Sequence, residues 1–156
     1  KNMLRDLLCM HERIPNAIIA HRVRRIRLGE PYRKWEKYKW YDFIFRKIHL
    51  SHLAMQTGVG GVLYPPHSLD ENMLDASIFM KIAPTADDVF FWAAAVSKGT
   101  YVIPLPGGKN HPKEIGKPGE LALQTVNIRQ GKDLNRKTLE RILAKFPIVN
   151  QIIEQR

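Results

Sequence analysis

Thr57-Gly58-Val59-Gly60-Gly61-Val62-Leu63-Tyr64-Pro65-Pro66, followed further along by Ala86-Asp87-Asp88-Val89-Phe90-Phe91-Trp92, is the pair of segments on which the architecture turns. Over residues 58–64 the three glycines predict a tight turn that delivers the chain into a short strand. Pro65-Pro66 ends that strand, because proline has no amide hydrogen to give to a ladder. Two aspartates ahead of an unbroken apolar run predict the first turn of a helix, where exposed backbone amides welcome negative charge. A turn, a strand and an acidic helix entrance in that order mount a carboxylate at the rim of a pocket, which points to an enzyme site of α/β class.

Working outward from this segment, Ala17-Ile18-Ile19-Ala20 reads as a buried strand that continues into an arginine-rich stretch. Before it, residues 2–13 form a helix that Asn2 caps and Pro15 stops. Gly29-Glu30-Pro31 turns the chain, and residues 32–50 read as an extended loop with a short helix. Ser68-Leu69-Asp70-Glu71 is a capping box, so a helix is expected over about 69–80, with Met73, Leu74 and Phe79 as its apolar stripe. Thr85 is expected to cap the next helix, which runs through Val96 and ends at Gly99 in the left-handed conformation. A strand at 102–105, a Gly-, Pro- and Lys-rich loop at 106–120 and a last amphipathic helix marked by Leu139, Ile142, Leu143 and Phe146 complete the chain. No internal repeat interrupts this order.

The 156 residues, 44% hydrophobic and 26% charged, suit one domain with a real core. Cys9 is the single cysteine, so no internal disulfide forms; it sits among Leu4, Leu7 and Leu8 and reads as a buried thiol in a reducing, cytoplasmic compartment. No apolar run approaches the roughly 20 residues that cross a bilayer, and Lys1 begins a polar-apolar helix and not a charged leader. The expected protein is soluble or peripheral to the inner membrane.

The net charge of +10 is uneven, at +8 over residues 1–50, −3 over 51–100 and +5 over 101–156. His21-Arg22-Val23-Arg24-Arg25-Ile26-Arg27 and the aromatic-basic stretch at 32–41 suit phosphates, membrane head groups or a solvated face.

Pro15-Asn16-Ala17-Ile18-Ile19-Ala20-His21-Arg22, Pro31-Tyr32-Arg33-Lys34-Trp35, Gly58-Val59-Gly60-Gly61-Val62-Leu63-Tyr64-Pro65-Pro66 and Ala86-Asp87-Asp88-Val89-Phe90-Phe91-Trp92 together resemble bacterial glycosyltransferases of surface polysaccharide synthesis, such as those of capsule and lipopolysaccharide. The resemblance covers nearly the whole chain, including a tail with Asn127, Asn135-Arg136 and a closing helix near Phe146-Pro147. It implies the A-type glycosyltransferase fold, an α/β sandwich whose first half binds a nucleotide sugar and whose second half binds the acceptor. This chain resembles the acceptor-binding half, a small mixed sheet flanked by helices. The aspartate-rich metal motif of such enzymes, with a Tyr-Pro behind it, is expected upstream of Lys1. Residues 1–16 offer no replacement for it, so the ligands of the divalent cation (Mn or Mg) are expected outside this chain. The nucleotide-binding half is therefore expected to be absent, and the isolated chain inactive.

The implied chemistry is inverting transfer of a hexosyl group from a nucleotide sugar to a carbohydrate acceptor, with a carboxylate taking the proton of the attacking hydroxyl. The resemblance gives that role to Asp88 and acceptor binding to Asp87; the spacing alone does not rank the two. In a first helical turn both are expected to stay ionised and weakly basic. Gly58, Gly60 and Gly61 permit a sugar or diphosphate to approach the backbone, or simply build a turn. Tyr64 forms an acceptor wall with Pro65-Pro66, or a rigid strand exit. Trp92, one helical turn past Asp88, stacks on a sugar face or fills the core.

Arg22, with Arg24 and Arg25, pairs with the diphosphate or membrane phosphates, or decorates a strand edge. His49 and His52 lack a third ligand for zinc, and His111 is a candidate to approach a diphosphate-bound metal. The competing reading is a small basic module for nucleic acid or anionic surfaces, in which the aspartates only open a helix. The transferase reading calls for no nucleic acid, a carbohydrate acceptor, and a sheet edge on which two copies can associate.

Overall fold

The apolar run at 17–20 becomes β1 (Ile18–Ala20), and the arginine-rich continuation becomes a separate strand, β2 (Val23–Arg25), with His21-Arg22 as the break between them. The computed structural model describes residues 2–39, 42, 50–105 and 133–155. Among these stand five α-helices and two three-stranded sheets, a mixed α/β arrangement.

One sheet holds β1 at its centre, antiparallel to β5 (Val62–Leu63) and parallel to β6 (Val102–Pro104). The other holds β2 at its centre, antiparallel to β3 (Glu36–Lys37) and β4 (Ala54–Gln56). A single small mixed sheet was the sequence expectation, and the second sheet arises because residues 18–25 do not run straight. Ile19 pairs with Leu63 and Ile103, whereas Arg24 pairs with Met55 and Lys37. Pro104 is tolerated in β6 because that strand lies at a sheet edge.

α1 (Met3–Arg13) ends before Pro15 as expected. Asn2 takes the N-cap position, but the capping bond from its side chain does not form. Leu7 packs on Ala17, Ile19 and Leu105, with Met10 beside it. Cys9 lies about 200° around the helix from Leu7 and is exposed, which corrects the expected buried thiol. The helix packs on β1 and β5 through a narrow stripe centred on Leu7.

The expected capping box at Ser68 does not form either. Asp70 accepts from the Asn72 amide to open a single 3-10 turn, Glu71–Met73, and Asp75 accepts from the Ser77 amide at 2.7 Å to open α2 (Ala76–Ile82). Two carboxylates at better-placed positions displace the serine, whose hydroxyl is buried with no hydrogen-bond partner among the described residues.

α3 (Asp87–Ser97) begins one residue later than Thr85 predicts, with Ala86 at the N-cap. Its end is as expected: Gly99 adopts φ +76°, the Gly99 amide reaches the Val96 carbonyl and the Thr100 amide reaches that of Ala95, both at 2.8 Å. Val89, Phe90, Trp92, Ala93, Ala94, Ala95 and Val96 are all buried, so α3 is apolar all round and forms the axis of the main core.

Two closing helices appear where one was expected. α4 (Leu134–Lys145) stops at Phe146, and Pro147 at the first position of α5 (Pro147–Glu154) starts the chain afresh. Leu139, Ile142, Val149 and Ile153 press both against α3. Asp133 caps α4 through the Arg136 amide and also accepts from the Tyr32 amide at 2.6 Å, tying the tail to the front of the chain. The entrance of α4 is thus fastened to residue 32.

Candidate functional site

Two crossings of the chain lie side by side and build the site. At His21-Arg22 the chain passes from the first sheet to the second, and between Gln56 and Val62 it passes back. They are joined by the Thr57 amide to the Arg22 carbonyl at 2.9 Å, the Thr57 hydroxyl to the same carbonyl at 3.3 Å, and the His21 amide to the Gly61 carbonyl at 3.2 Å. Glycine is required for this approach. A Cβ at position 60 would lie 2.9 Å from the Arg22 Cβ, and Gly61 holds φ +87°, which side chains resist. Gly60 and Gly61 therefore bring chain against chain, with Arg22, His21, Met3 and Leu7 beside them.

Gly58 is different. Its amide donates to Asp88 Oδ1 at 2.9 Å, and a Cβ there would meet the same oxygen at 3.3 Å. The turn after β4 thus touches the entrance of α3. Asp88 is half-buried, and burial pushes its carboxyl up to about 6 from 3.8; neighbouring Asp87 adds to the shift, while the Gly58 amide and Arg22 oppose it. The helix entrance alone led to the opposite expectation, and desolvation outweighs it here. Asp87 is exposed, so the two aspartates that the sequence could not rank occupy different surroundings.

Tyr64 lies within electrostatic reach of this carboxylate, 37% exposed and edge-on to Phe91. Its hydroxyl is pushed up to about 12, chiefly by burial and further by Asp88 and Asp87, so it remains a proton donor across the physiological range. Gln56 connects them: its amide nitrogen donates to the Tyr64 oxygen at 3.2 Å and to the Asp88 carbonyl at 3.4 Å. Gln56 is fully buried, and the sequence reading missed it; a lone amide closing the apolar run Leu53-Ala54-Met55, directly before the glycine turn, is the signal that could have found it. Tyr32 is a further neighbour, its hydroxyl raised by burial and by the charge of Asp88.

Trp92 is corrected. It is 0% exposed and its indole nitrogen donates to the His52 carbonyl at 2.7 Å, so it has no face to offer a ligand and belongs to the core. Arg22, Tyr64, Gly58, Asp87 and Asp88 do come together; Trp92 does not join them.

Among the described residues of the basic-aromatic segments, two arginines and three rings are engaged with one another. Arg24 lies over the Tyr32 ring at 4.4 Å and donates to the Trp35 carbonyl, Arg25 lies over Tyr38 at 5.3 Å, and Trp35 is buried. Base-stacking platforms would need those ring faces open. His52 stacks on Tyr101 with centroids 4.1 Å apart, and burial lowers its basicity. His49, His111, Asn127 and the 106–120 loop lie outside the described residues.

Among the described residues, no group of three or more His, Cys, Asp or Glu side chains converges as a bound ion needs. These residues do not fit a Mn or Mg site. No described helix is long and apolar enough to cross a membrane. No protein-family model, curated protein or solved structure matches this chain.

Proposed function

We propose that this chain is the acceptor-side portion of a sugar-nucleotide-dependent glycosyltransferase of cell-surface polysaccharide synthesis, with Asp88 as the general base. One observation carries the reading beyond the motif resemblance: a half-buried carboxylate, raised to about 6, stands on a helix entrance beside an arginine, a tyrosine hydroxyl and a glycine amide. A structural cap has no use for a raised pKa, whereas a base working near neutrality does.

In the step assigned to it, Asp88 Oδ2 takes the proton of an acceptor hydroxyl. The alkoxide oxygen bonds to the anomeric carbon, and the carbon–oxygen bond to the nucleoside diphosphate breaks with inversion, the electron pair leaving on the phosphate. The bond from Gly58 to Oδ1 holds the carboxylate while Oδ2 faces the acceptor. Because the Tyr64 oxygen already accepts from Gln56, its own hydrogen is directed to a sugar oxygen. Exposed Asp87 orients a further acceptor hydroxyl. The divalent cation of such an enzyme would neutralise the departing diphosphate from ligands outside the described residues, and no step here depends on it.

The test has two parts. The coding sequence ahead of Lys1 is expected to carry an aspartate-rich motif followed by Tyr-Pro. A protein extended to include it is then incubated with a panel of nucleotide hexoses and oligosaccharide acceptors, and release of nucleoside diphosphate is followed. Acceptor-dependent release that disappears in Asp88→Asn supports the reading; release unaffected by Asp88→Asn removes it.

A further inference from the structure

Away from this site, α2 and α4 enclose a groove of about 720 Å³ lined by Ser77, Ile78, Lys81, Ile82, Arg141 and Lys145. Its chemistry is divided. Ile78 and Ile82 give it an apolar floor, and three cations stand along it. Among the described residues none of the three is ion-paired; nearby Glu140 is held by Arg136, Asp75 by Ser77, and Asp133 by the Arg136 and Tyr32 amides. Lys137 continues the row, so Lys137, Arg141 and Lys145 follow one another at i, i+4 and i+8 on the face of α4.

Like charges at that spacing destabilise a helix. An anion lying in the groove would reverse that cost.

The dimensions narrow the occupant. A volume of this order fits one small ligand, and α2, at seven residues, is only about 10 Å long. Such a wall is too short to cradle several turns of a partner helix. Apolar floor and cationic rim together ask for an anionic amphiphile. Met80 on α2 and Leu74 just before it expose apolar side chains, as shallow insertion among lipid head groups requires.

We infer that the α2–α4 groove docks the protein on a membrane by seating the headgroup of an anionic phospholipid, with Lys81, Arg141 and Lys145 on its phosphate and Ile78 and Ile82 against its glycerol and first methylenes. The inference rests on the groove alone and stands or falls separately from the transfer reaction.

The experiment is co-sedimentation of the full chain with phosphatidylcholine vesicles, with and without phosphatidylglycerol. Binding is expected only with phosphatidylglycerol. The triple variant K81Q/R141Q/K145Q should lower the partition coefficient on the order of a hundredfold, at about fivefold per basic residue. A control, R5Q/R13Q/R33Q, removes the same charge elsewhere and should lower it less than about tenfold. Far-UV circular dichroism checks folding, and the single variant K145E provides the same comparison if the triple unfolds.

Equal losses in the two triples would reduce the effect to net charge and overturn the inference, as would equal binding to pure phosphatidylcholine. Full displacement from vesicles by inorganic phosphate at modest concentration would make the groove a soluble-anion site. Binding of polyglutamate without binding of vesicles would assign it to an acidic protein partner. Either result also overturns the membrane assignment.

Discussion

The entrances of α2 and α3 each carry an aspartate that accepts from a backbone amide, and the two behave oppositely. At α2, Asp75 is exposed and accepts from both the hydroxyl and the amide of Ser77, which hold its carboxyl below the usual range. At α3, Asp88 accepts from one distant amide, that of Gly58, and burial raises it to about 6. A carboxylate that serves its own helix is stabilised as an anion; one that serves another part of the molecule is left partly unsatisfied. The difference separates a structural acid from a chemical one, and it can be attacked from either side.

The largest effect is expected on turnover. In an extended, active enzyme, Asp88→Asn keeps an acceptor for the Gly58 amide but cannot take a proton, and kcat should fall about 10²–10⁴-fold. Asp75→Asn should leave kcat unchanged. If both variants turn over equally, the contrast between the two entrances has no catalytic meaning.

Stability should move the other way. Between pH 3.8 and about 6 the folded chain keeps a proton on Asp88 that the unfolded chain has released, so this group makes stability fall as pH rises through that window. The deficit at neutral pH is on the order of 2 kcal/mol after discounting for solvent around a half-buried group. Asp88→Asn should therefore raise the neutral-pH melting temperature and flatten the slope in this window, as followed by thermal denaturation at several pH values.

Gly61→Ala forces a side chain into φ +87° and should cost about 1–2 kcal/mol in a denaturant titration. Smallest is Asp75→Ala, which should lower the unfolding midpoint slightly above the carboxylate range. The difference from the native chain should vanish as pH falls through the lowered value of Asp75, since the support of a depressed carboxylate is lost on protonation.

The sequence made the strands at 18–20, 62–63 and 102–104 legible through short apolar runs, the latter two set between Gly and Pro, and the end of α3 through Gly99. It also singled out Asp88, although with its acidity reversed, because a helix start is visible in sequence and the packing that buries it is not. Ser68 and Thr85 drew the capping assignments that Asp70, Asp75 and Ala86 took, since several short polar residues compete within a few positions and tertiary contacts choose among them. Gln56 and Asp133 escaped altogether: the partners that give them meaning, Tyr64 with Asp88 and Tyr32, come from elsewhere in the chain. The A-type glycosyltransferase fold remains a proposal resting on its motifs, while the α/β class with two small sheets is observed.

The paired crossings at Arg22 and Thr57 act as a rivet through both sheets. Each crossing extends one ladder by a pair, Thr57 with Arg22 beyond β2–β4 and His21 with Gly61 beyond β1–β5, and the two pairs are adjacent along the chain, so the two sheets should melt as one cooperative unit. In native-state hydrogen exchange the amides of His21, Thr57 and Ile18 are expected to open with a shared free energy, although Ile18 lies in one sheet and the carbonyl that Thr57 reaches leads into the other.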